Sequence, residues 1–323
     1  MRGILSAAMM LACAAGLALA VEGMDWAYPV TPKGKGAPDK EKLLTVPGSK
    51  KQYTAAQIGN GFNPPDWFPD EHPPMPAAVA TGRSPAFRAC ALCHLPTGGG
   101  HPESANMAGL PVRYIIRAME EYKNGNRVGV RAGTMIEIAK AMTDEEVRAA
   151  SEYYARLKPH ARQKVVESAT APKSFVGGGG MRYAHAEGGT EPIGSRIIII
   201  PDSAEGAQRR NPKSNFVAYV PPGSIANGKA LAAGGGKTVA CGICHGPGLK
   251  GLGDVPGLAG RDPTYTFRQL YDMQQGRRKG DAVALMKAVV EKLTVDDMIA
   301  LSAYTASLEP SEGTTGTLAL STS

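Results

Sequence analysis

Cys90-Ala91-Leu92-Cys93-His94 and Cys241-Gly242-Ile243-Cys244-His245 are the two stretches on which the reading of this chain turns. Each is a C-x-x-C-H string, the pattern of covalent haem attachment. The spacing has a chemical reason: two thiols add to the two vinyl groups of one porphyrin, and the adjoining imidazole reaches the iron from the proximal side. The chain holds five Cys; Cys13 lies in the apolar N-terminal run, and the other four are all taken up by these strings. Three other uses of such cysteines fit worse. Disulfides across two residues are strained, a zinc site needs four ligands per metal, and a thioredoxin-like pair would not occur twice with His following each time. The sequence therefore predicts two covalently attached haem c groups, with thioethers at Cys90, Cys93, Cys241 and Cys244 and iron ligands at His94 and His245.

The two motifs stand 151 residues apart, and shifting the chain by that amount aligns their surroundings without a gap. Tyr114 falls on Tyr265, Arg117 on Arg268, Gly125 on Gly276, Arg127 on Arg278, Thr143 on Thr294 and Tyr153 on Tyr304. The chain is thus an internal repeat of about 82–160 and 228–310. Most Met residues in helix-rich protein are core filler, and the repeat separates filler from ligand. Met107, Met119 and Met142 fall on Leu, while Met135 alone lands on another Met, Met286. Both stand 41 residues after their motif's His. A thioether opposite an imidazole suits electron transfer, so Met135 and Met286 are the expected second axial ligands. The remaining His72, His101, His160 and His185 have no repeat partner and read as loop residues.

Val112, Ile115, Ile116, Met119 and Tyr122 recur at helical spacing before Gly125, predicting a helix over 112–124 and its copy over 263–275. Thr143 with Glu146 opens a second helix as a capping box, and Thr294 with Asp297 repeats it more weakly. Outside the repeat, residues 21–80 form a Pro-rich, irregular N-terminal arm expected to lie on the first unit. Residues 161–227 read as a linker with a small β-hairpin from Arg196 to Ile200 and Asn215 to Val220. Residues 311–323 read as a disordered tail.

Residues 1–20 have the form of a secretory signal, with Arg2, an apolar run and Ala18-Leu19-Ala20 as a cleavage site. This predicts export to the periplasm, with no membrane span after cleavage. The formal charge is +7. The excess is concentrated in 161–240, which holds ten basic and five acidic residues and reads first as solvated surface, with docking of an acidic partner as the other use. No basic run with interleaved aromatics occurs, which argues against nucleic acid.

With these motifs in place, the chain resembles the tandem dihaem class I cytochromes c, of which cytochrome c4 is the nearest type. The resemblance rests on C-x-x-C-H, Ala-Gly before a Tyr-containing helix, Gly125-Asn126-Arg127 and Gly276-Arg277-Arg278, the repeated Met, and a final helix opening with Thr and acidic residues. It implies a mainly α fold of two class I cytochrome c domains, at 81–160 and 228–310. It also implies His/Met ligation, a periplasmic location, and one-electron transfer between a dehydrogenase or quinol-oxidising complex and a terminal acceptor such as an oxidase or another cytochrome. The long arm and insert depart from that pattern. Two other readings are a haem enzyme, of the dihaem peroxidase or thiosulfate dehydrogenase kind, and a haem subunit of a larger dehydrogenase. An enzyme needs an open sixth site, which matching Met residues argue against.

Overall fold

A computed structural model describes residues 23–31 and 41–310. The expected signal segment 1–20 and tail 311–323 lie outside the described residues. Among those described, no helix is long and apolar enough to cross a membrane.

The first unit contains helices α1 (Val112–Lys123), α2 (Gly133–Ala141) and α3 (Asp144–Arg156). The second contains α4 (Ser224–Ala232), α5 (Pro263–Gln274) and α6 (Val295–Ser307). The capping boxes form as their sequences predict. Thr143 Oγ1 accepts from Glu146 N at 3.3 Å while Glu146 Oε2 accepts from Thr143 N at 2.8 Å, and Thr294 with Asp297 repeats the exchange. Gly125 and Gly276 stop α1 and α5 in the left-handed region, at φ 73° and 65°.

The second unit begins earlier than expected, because α4 starts at Ser224 rather than near 228. Its counterpart in the first unit is only Ala77–Ala80. Pro73-Pro74-Met75-Pro76 precedes that turn, and proline's missing N–H and fixed φ prevent a longer helix there.

The insert is more than the small hairpin expected. Strands β1 (Gln163–Glu167), β2 (Ile198–Pro201) and β3 (Phe216–Val220) form one sheet in the order β2-β3-β1. β3 runs antiparallel to β2 and parallel to β1. Two short ladders, Thr170–Pro172 with Thr190–Pro192 and Ser174–Val176 with Arg182–Ala184, extend from it. A parallel partner carries no turn signal, and Gln163-Lys164-Val165-Val166-Glu167 has too little apolar alternation to announce a strand.

The arm is also redistributed. Ala78 and Val79 pack in the first unit's core with Tyr153 and Tyr154. Val46, Ile58, Trp67 and Phe68 make a small core of their own. Trp26, Ala27 and Tyr28 instead cross to the second unit and join a core shared by β2, β3 and α6. There the Trp26 ring lies 4.6 Å from that of Phe267, and Tyr28 Oη donates to Asp272 at 3.0 Å. The amphipathic Trp and Tyr supply the large buried area that a short segment needs to hold its place.

The two units meet about a local two-fold. Val128 N donates to Arg277 O, and Lys279 N to Asn126 O, both at 2.7 Å, so the paired Gly-x-Arg segments bridge one another. Arg127 Nη2 reaches Tyr265 Oη at 2.9 Å, and Arg278 Nη2 reaches Tyr114 Oη at 3.3 Å. These are the same contact made in both directions.

Candidate functional site

Each C-x-x-C-H string folds as a single helical turn, Ala91–His94 in one unit and Gly242–His245 in the other. His94 N donates to Cys90 O, and His245 N to Cys241 O, both at 2.9 Å. That turn gathers both thiols and the imidazole on one face. After the His the chain bends away at positive φ: Leu95 at 58° in the first unit, Gly246 at 75° in the second.

Both imidazoles are buried and oriented alike. His94 Nδ1 lies 2.8 Å from Ala105 O, and His245 Nδ1 lies 2.8 Å from Pro256 O, eleven residues along in each case. A carbonyl can only accept, so Nδ1 carries the proton and Nε2 keeps its lone pair for a metal. Burial holds both imidazoles below their ordinary pKa, in the neutral form that binds metal. Burial also pushes the Cys90 thiol up to about 12 and raises those of Cys93 and Cys241. Such thiols are poor nucleophiles at neutral pH, which does not suit a dithiol redox site.

In the first unit, Cys90, Cys93 and His94 form one wall of a largely apolar cavity. Ile115 and Met119 of α1 line it, as do Met135 and Ile138 of α2 and Val147, Ala150 and Tyr154 of α3. Four thioethers reach this cavity, those of Met107, Met119, Met135 and Met142. Position in the repeat, not proximity alone, distinguishes Met135. In the second unit Met286 is half-buried at the start of the Lys287–Val290 turn. It packs on the same core as Cys241, Leu270 and Met273.

These donors fit haem. Two thiols, an imidazole with a free Nε2 and a thioether surround an apolar space. A flat apolar macrocycle suits those walls. Among the described residues no three His, Cys, Asp or Glu side chains gather as a metal-ion site.

The unrepeated histidines stand elsewhere. His72 Nε2 is 3.1 Å from Asp66, His185 lies beside Phe175 on the insert, and His101 borders a separate small polar cavity with Arg162, Gln163 and Asp262. The sequence reading missed Arg210. From the insert it donates to Leu92 O inside the first motif and to Ile58 O at 3.0 Å. The basic excess of 161–240 was its one trace in the sequence.

No family model matches the chain. It is 27% identical over 234 residues to a thiosulfate dehydrogenase electron acceptor of Stutzerimonas stutzeri, covering 72% of this chain and 84% of that protein. It is 34% identical over 89 residues to cytochrome c4 of Azotobacter vinelandii, covering 25% and 42% respectively. It is 35% identical over 79 residues to cytochrome c-554(548) of Halomonas halodenitrificans, covering 24% of this chain and 95% of that one.

Proposed function

Because the chain belongs to the tandem dihaem c-type cytochromes and carries two covalently attached haem c groups, we propose that it is a periplasmic one-electron carrier with both irons held by His and Met. In this reading Cys90 and Cys93 tether one haem and Cys241 and Cys244 the other. His94 with Met135, and His245 with Met286, would hold the two irons. The observation that carries the proposal is the sameness of the two sites: each buried imidazole is fixed by a carbonyl eleven residues on, and each is followed by a Met 41 residues on.

Haem supplies the one-electron couple. The chain's own residues set its surroundings. The carbonyls of Ala105 and Pro256 hold each ring in one tautomer and raise the basicity of Nε2. A thioether from Met135 or Met286 as the second ligand would favour the reduced form and leave a substrate nowhere to bind. Apolar side chains from α1, α2 and α3 exclude water and limit the rearrangement that accompanies a change of charge.

The similarity to thiosulfate dehydrogenase electron acceptors favours a thiosulfate-oxidising dehydrogenase as the donor, with an oxidase or another cytochrome as acceptor. Two measurements test the whole reading. Purified holoprotein should show two low-spin haems, and Met135→Ala and Met286→Ala should each turn one haem high-spin. Thiosulfate alone should leave the oxidised protein unreduced, while thiosulfate with a thiosulfate dehydrogenase should reduce it. A wild-type haem already high-spin, or direct reduction by thiosulfate, would favour an enzyme instead.

A further inference from the structure

In both C-x-x-C-H turns the His is followed two residues on by proline, Pro96 in the first unit and Pro247 in the second. Proline has no N–H, so the carbonyl four residues earlier is left without its helical donor. That carbonyl belongs to Leu92 in one unit and to Ile243 in the other. The two units answer differently. In the first, Arg210 Nη1 of the insert donates to Leu92 O. In the second, Ile243 O receives no side-chain donor among the described residues.

Arg210 is fixed from several directions. Its Nε donates to Ile58 O of the N-terminal arm at 3.0 Å, and its Nη1 lies 3.4 Å from His101 Nε2. The flanking loop is pinned as well: Trp67 Nε1 donates to Arg209 O at 2.8 Å, and Asn211 N to Gly206 O at 3.0 Å. The backbone of Arg210 stands at φ 57°, a left-handed conformation that a long side chain rarely takes. What the guanidinium lacks is a counter-charge. Its partners are two carbonyls and an imidazole, and it forms no ion pair among the described residues.

This cation acts on the first motif. Its field reaches the Cys93 sulfur, where it opposes the effect of burial, and Cys93 is one of the proposed tethers of the first haem. A guanidinium is charged at every physiological pH. Gaining one electron removes one positive charge from an iron centre, so a fixed cation nearby favours the reduced state. We propose that Arg210 tunes the first haem, raising its reduction potential by its uncompensated charge. The repeat makes the two sites alike, and the insert, which lies outside the repeat, makes them unequal. This rests on the reading above in which Cys90 and Cys93 tether a haem held by His94 and Met135.

The test is a potentiometric titration of the holoprotein, followed at the haem absorption bands, for wild type, Arg210→Gln and Arg210→Lys. The first haem's couple is identified as the one that Met135→Ala displaces. Arg210→Gln removes the charge and keeps an N–H donor. It should weaken the first haem's hold on its electron about three- to tenfold, or roughly 28–59 mV at 59 mV per decade, and leave the second haem unmoved. Arg210→Lys keeps the charge and should retain most of the wild-type potential. Because the group is half-buried, the difference between wild type and Arg210→Gln should persist as salt is raised. Unmoved potentials in Arg210→Gln, equal shifts at both haems, or a difference that salt abolishes overturns the proposal. So does a loss in Arg210→Lys as large as in Arg210→Gln, which would make Arg210 only a cap for Leu92. Each variant is first required to show the wild-type visible spectrum; if Arg210→Gln does not, Arg210→Met takes its place. Failure of both to carry two low-spin haems shows a purely structural role and also overturns the proposal. Failure of the haem reading is distinguishable, because it appears as a missing or high-spin haem in the wild type before any titration.

Discussion

At the scale of single residues, Asp262 is a buried carboxyl where the insert and the second unit meet. Its Oδ1 caps α5 by accepting from Tyr265 N at 2.9 Å, and its Oδ2 accepts from Gln163 Nε2 at 2.9 Å. Burial, opposed by Arg268 and abetted by Glu103, pushes its carboxyl up to about 7. Below the ordinary carboxylate pKa both folded and unfolded chains hold this proton. Between that point and about pH 7 only the folded chain holds it, so stability falls as pH rises through this window and then levels. Asp262→Asn removes the charge and keeps the cap on Tyr265 N, and Nδ2 donates to Gln163 once that amide turns its Oε1 inward. Its melting temperature should fall less than that of wild type between pH 4 and 7, and matching curves would show that Asp262 ionises normally. None of this was visible in the sequence, where Asp262 is one carboxylate beside a proline. The proposed haem-binding residues are the opposite case: C-x-x-C-H could be named directly because covalent attachment demands fixed spacing, and the Met because only one pair matches under the repeat.

At the scale of elements, the helices were legible wherever local chemistry acts alone. Thr143 and Thr294 announced α3 and α6, and an apolar stripe ending at Gly125 announced α1. What could not be read was how tightly elements meet. α4 and α6 cross so closely that a Cβ at Gly228 would lie 2.0 Å from Ala300 O and 2.7 Å from Tyr304 Cβ. Gly228→Ala should therefore destabilise the second unit by about 1–3 kcal/mol, the usual cost of overpacking. Thermal unfolding of the holoprotein measures this, and a change no larger than that of an exposed Gly→Ala substitution would refute the close approach. The three-stranded sheet was illegible for a related reason. Its parallel pair joins residues 163–167 to 216–220 across a long excursion, and no turn residue records such a partnership.

For the molecule as a whole, the decisive feature is that the two units are joined by backbone as well as by side chains. The reciprocal bonds Val128 N to Arg277 O and Lys279 N to Asn126 O sit on the local two-fold, beside the buried Arg127 and Arg278. Val128→Pro removes one donor and should weaken the junction by about 0.5–1.5 kcal/mol for the lost bond. Hydrogen exchange should then quicken at Lys279 and its neighbours while α1 and α5 keep their protection. Unaltered exchange at Lys279 would mean that the units do not depend on this pairing. Trp26, Tyr28 and the insert reinforce the same union, since they share one core with the second unit while reaching the first through Arg210.

Sequence alone determined the cofactor class, the duplication, the helices with strong caps and the residues offered as ligands. Each of these is written in short-range spacing or in a repeat that can be compared with itself. Tertiary structure alone decided where the arm and insert go, that Trp26 crosses to the second unit, and that Arg210 of the insert reaches the first motif. Those outcomes depend on contacts between residues far apart in the chain, for which neighbouring side chains carry no local signature.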